Sequence, residues 1–73
     1  MKVTLQSTTK IVELNGIPCR IWEGQSAAGI PCHAFIPRIA VEKDADNTQF
    51  EAELKEQAVP SAEVQVYPLR MIL

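Results

Sequence analysis

The chain has 73 residues, 47% hydrophobic and 22% charged, with a formal net charge of −2. This length makes one small domain with a thin core, because chains of this size bury only about 60% of the surface they expose when unfolded. The aliphatic content argues against disorder, no apolar run approaches the roughly 18 residues that span a bilayer, and net acidity argues against general nucleic-acid binding.

Val3 and Leu5 alternate with polar residues and suggest a short first strand, which Ser7-Thr8-Thr9 could continue or turn. No long apolar stretch follows Met1, so a signal peptide is not expected, a cytosolic location is the default, and the two cysteines are expected as thiols. Lys10–Leu14, Asn15-Gly16 and Ile17–Trp22 read as a two-residue hairpin. Asn-Gly suits a type I′ turn, whose two central positions need positive φ. The turn sets Leu14 opposite Ile17, Val12 opposite Cys19 and Ile11 opposite Arg20. One side then carries Val12, Leu14, Ile17, Cys19 and Ile21. The other carries Ile11, Glu13, Pro18, Arg20 and Trp22.

A seven-residue unit occurs twice, as Gly16-Ile17-Pro18-Cys19-Arg20-Ile21-Trp22 and Gly29-Ile30-Pro31-Cys32-His33-Ala34-Phe35. Glu23 to Gly29 reads as a small-residue loop ending in Gly, and Ile30 to Val41 as a long strand interrupted at Pro37. Pairing Glu23 with Ile30 puts Arg20 opposite His33 and Pro18 opposite Phe35. Ile30, Cys32, Ala34 and Ile36 then join the aliphatic side. A bulge at Pro37-Arg38 would return Ile39 and Val41 to it. Pro18, which has no donor, counts against an unbroken ladder on a middle strand.

Asp44–Asn47 is a polar turn, and Thr48-Gln49-Phe50-Glu51 has the form of a capping box. A helix from about Gln49 to Gln57 follows, with Phe50 and Leu54 on a narrow apolar stripe. It is assigned to the aliphatic sheet face. Glu63–Tyr67 alternates like a strand, continued by Leu69–Leu73 after Pro68. The order β-β-β-α-β, with a further N-terminal strand where 3–9 stands apart, predicts a small two-layer α+β domain with an antiparallel meander and one short helix packed on one sheet face.

No catalytic constellation is found. Cys19 and Cys32 fall diagonally on one face, read as small buried hydrophobes, with a disulfide or a thiol-dependent redox pair as alternatives. Zinc lacks a fourth ligand, and the adjacent Cys32 and His33 project to opposite faces. The Asp44–Thr48 loop resembles half a calcium loop but has Gln49 where Gly is required and Lys55 where Glu is required. No cofactor or metal is expected.

The remaining candidate is an interaction face formed by Arg20, Trp22, His33 and Phe35, since one short helix cannot cover both sides of the sheet. Trp and Arg are common interface anchors. The expected role is non-enzymatic protein binding, first to a second copy of the chain. Covering of that face by the chain termini is the alternative that needs no partner. A different class of function, a nucleic-acid accessory protein, would use Lys2, Lys10, Arg20 and Arg38 with the aromatics. Seven acidic residues from Glu42 to Glu63 against Lys43 and Lys55 read as a solvated acidic helix beside a mildly basic sheet.

Overall fold

The structure, a computed structural model, describes residues 1–65, apart from the side chain of Glu63. Three antiparallel strands, β1 (Val3–Leu14), β2 (Ile17–Ser26) and β3 (Pro31–Ile36), form an open sheet in the order β1-β2-β3. Two short helices follow, α1 (Asn47–Leu54) and α2 (Ala62–Gln65). The architecture is that of a small α+β domain. No helix among the described residues is long and apolar enough to cross a membrane.

The first hairpin forms as its turn dictates. Asn15 and Gly16 have φ of 52° and 82°, and Leu14–Ile17, Val12–Cys19 and Ile11–Arg20 are partners. The N-terminal segment is not a separate strand. It continues β1 through an irregularity between Ser7 and Ile11, where Thr8, Thr9 and Lys10 stand against Ile21 alone. The Thr8 hydroxyl donates to the Ile21 carbonyl at 2.7 Å and accepts from the Lys10 N–H at 3.2 Å, which satisfies groups the bulge would otherwise orphan. The bulge adds two residues, an even number. Side chains beyond it therefore keep their faces, and Ser7 pairs with Trp22.

The second hairpin differs from its sequence expectation. β2 runs on to Ser26, and Ala27, Ala28 and Gly29 alone make the loop. Ser26 N–H donates to the Ile30 carbonyl and Gly29 N–H to the Ser26 carbonyl, both at 2.9 Å, with Gly29 at φ 83°. This is a three-residue closure with a left-handed final residue, a position that favours glycine. Glu23 consequently faces His33, not Ile30. The displacement is three residues. An odd shift turns every β3 side chain to the other face.

β3 stops at Ile36, and Ile39 and Val41 lie exposed beyond Pro37 with no bulge to return them. This early end explains Pro18. The two-residue turn makes Leu14–Ile17 a hydrogen-bonded pair, so the nitrogen of Pro18 points away from β1. The β3 ladder stops at the Arg20–Ile36 pair, so no acceptor waits for it there.

Val12, Ile21 and Val64 form the buried core, with Phe35 packed against them. Val64 comes from α2, where the sequence suggested a strand over 63–67. Residues 62–65 are helical, and the rest of that expected strand lies outside the described residues. Ser61 starts the turn, its hydroxyl accepting from Val64 N–H at 3.4 Å and its carbonyl from Gln65 N–H at 2.9 Å. The preceding segment is tied to the bulged edge of β1, with Ala58 N–H donating to Ser7 O at 2.9 Å and Thr9 N–H to Ala58 O at 3.1 Å.

The helix α1 begins two residues before the expected span and is capped by Asp46, not Thr48. Asp46 Oδ1 accepts from the Thr48 and Gln49 N–H groups at 3.0 and 3.3 Å. A carboxylate serves there better than a hydroxyl because it also meets the positive end of the helix dipole. The helix ends at Leu54, before the expected Gln57.

Candidate functional site

The register divides the residues that sequence reasoning had grouped. Arg20 and Trp22 share a face with Ile11 and Ile36, through the pairs Ile11–Arg20 and Arg20–Ile36. His33 and Phe35 belong to the reverse face, opposite Glu23 and Ile21. Arg20, Trp22, His33 and Phe35 therefore do not make one surface. The cause is the odd register displacement at the second hairpin.

A groove of about 710 Å³ runs along the Arg20 and Trp22 face. Its sheet wall holds Leu5, Ile11, Pro18, Arg20, Trp22 and Ile36, and its end is formed by Pro37, Arg38 and Ile39. Phe50, Glu53 and Leu54 of α1 form the opposite wall. The helix thus stands over the Trp22 face, not over the aliphatic face to which the sequence reading assigned it, and α2 covers the aliphatic face instead. No residue of α1 is buried. Arg20 is half-buried, and its Nη1 donates to the Thr8 carbonyl at 2.9 Å, so the β1 bulge holds the guanidinium in place against the sheet. Ile36, Phe50 and Leu54 were missed as lining residues. Phe50 and Leu54 were legible as an apolar stripe, but the face they would approach was not.

The other face carries a polar clasp. Glu23 accepts from the Ser61 N–H at 2.9 Å and from its hydroxyl at 2.5 Å, and His33 Nε2 lies 3.4 Å from Glu23 Oε1. Desolvation opposes ionisation of Glu23, but the two Ser61 donors and then the His33 imidazole outweigh it, leaving the carboxyl below its ordinary range. The carboxylate sits between serine and histidine. This inverts the hydrolytic order, in which histidine must contact the hydroxyl. The clasp instead fixes the start of α2, which delivers Val64 to the core.

The thiols are likewise separated. Cys19 is buried on the core side beside Ile21, whereas Cys32 pairs with Gly24 and is half-buried on the Trp22 side. Both are free, and the shared face expected for a disulfide or redox pair does not form. Among the described residues no three His, Cys, Asp or Glu side chains converge as metal ligands. In comparisons with protein-family models, curated proteins and solved structures, nothing matches this chain.

Proposed function

We propose that this chain is a small non-enzymatic protein-binding domain that associates with a second copy of itself through the Trp22 groove. One observation carries the reading. An eight-residue helix with no buried residue stands over an apolar sheet face and leaves the space between them open. Helices this short are marginal in water without tertiary packing. Ile11, Ile39 and Leu54, all on the groove, are 53%, 47% and 41% exposed. A contiguous apolar surface of this kind on a small domain marks a contact site. Trp22 supplies the large rigid ring that anchors such contacts.

The test is the mass in solution, by sedimentation or light scattering, from one to several hundred micromolar. Wild type is expected to form dimers in this range, and Trp22→Ala to remain a single chain with an unchanged far-ultraviolet spectrum. A wild-type mass of one chain throughout overturns the proposal.

A further inference from the structure

The two walls of the groove carry opposite charge. The sheet wall presents Arg20 beside Trp22, and the helix wall presents Glu53 beside Phe50 and Leu54. Arg20 spends one N–H on Thr8, and no carboxylate among the described residues forms an ion pair with it. None of its donors is buried without a partner in the single chain, but an occupant that desolvated them without offering an acceptor would lose affinity. Glu53 makes only a long contact with Gln49, at 3.4 Å, and remains exposed.

We infer that the occupant of the groove is α1 of a second copy, seated reciprocally, with Glu53 of each chain paired to Arg20 of the other. This rests on the groove being the self-association surface. A two-fold interface uses the same patch on both chains, so the patch must contain both halves of each contact. This one does: an aromatic ring and a cation on the sheet, aliphatic and aromatic side chains and a carboxylate on the helix. A nucleic-acid strand would bring its phosphates past Glu53 and Glu56, which both line the groove, and a purely apolar ligand would leave Arg20 unanswered. Leu54, 41% exposed at the edge of its own groove, is the side chain placed to reach the partner's groove while the partner helix lies along its mouth.

The charge pair is tested by Arg20→Glu and Glu53→Arg. Each single variant sets like charges against each other at both contacts of a homodimer, and self-association is expected to weaken about tenfold or more. Mixing the two variants re-creates both opposite pairs in the heterodimer, so association is expected to return. An Arg20–Glu53 pair within one chain would gain nothing from mixing. Isotope-filtered nuclear Overhauser spectra on mixed labelled and unlabelled wild type, which need no variant to fold, are expected to show contacts between the Trp22 indole and Leu54 methyl groups of different chains. A wild-type dimer that lacks these contacts, or singles that mixing does not restore, overturns this arrangement while self-association stands. A wild type that never dimerises overturns self-association itself.

Discussion

At Gly24 the strand β2 passes so close to β1 that any side chain would collide with backbone. A Cβ at this position would lie 1.7 Å from the Thr4 carbonyl oxygen and 2.9 Å from the Leu5 Cα. Ordinary van der Waals contact begins at 3.4 Å, twice the first of these distances. The obstacle cannot rotate away, so Gly24→Ala must push the strands apart at the Leu5–Gly24 pair. Overpacking in well-packed regions costs typically about 1–3 kcal/mol, and a backbone obstacle places this substitution at the top of that range. A domain of this size has only about 3–5 kcal/mol to lose. With a urea slope of about 1 kcal/mol per molar, the midpoint falls by about 3 M. Gly29→Ala is the matched control. Gly29 sits at φ 83° with nothing within 4 Å of its Cβ position, so only conformational strain is added, about 1 kcal/mol. Urea unfolding followed by Trp22 fluorescence measures both. A Gly24→Ala protein that unfolds within about 0.5 M of wild type refutes the close approach, and with it the pairing of Val3–Ser7 against Trp22–Ser26.

The clasp between Glu23 and Ser61 has a signed pH dependence. Because ionisation of Glu23 is favoured in the folded state, its contribution is complete above about pH 5 and is lost as pH falls through the depressed folded pKa. Glu23→Gln is therefore expected to cost about 1 kcal/mol at neutral pH, with the gap to wild type closing on acidification. A gap that stays constant down to about pH 3 contradicts the ionic clasp. The thiols should react in two stages. Cys32 is labelled in the native protein, and Cys19, at 4% exposure, only after unfolding, as mass spectrometry of timed samples would record. Prompt labelling of both would place Cys19 outside the core.

Local chemistry made much of the sheet legible in the sequence. Asn15-Gly16 specifies a turn whose geometry admits one register, and the alternation on either side then places Arg20 and Trp22 together, away from Cys19 and Ile21. The second hairpin carried an equally local signal, Ala-Ala-Gly with glycine as the left-handed closing residue. The alternative of a longer loop was equally compatible with small residues, and choosing it reversed His33 and Phe35. The bulge at Thr8–Lys10 had no such signal. It depends on contacts with Ile21 and Ala58, which are remote in sequence.

By itself the sequence determined the class of domain, the first hairpin and the placing of Arg20 and Trp22 on one sheet face, because turn residues and period-two alternation act over a few residues and need no distant partner. Only the tertiary structure decided which face each helix covers. That choice follows from long-range contacts, namely Ala58 on the edge of β1, Ser61 on Glu23 and Val64 in the core. These contacts put α2 over the aliphatic side and leave α1 standing above Trp22. An amphipathic stripe says that a helix must cover something, while the lengths and anchor points of its connections say what.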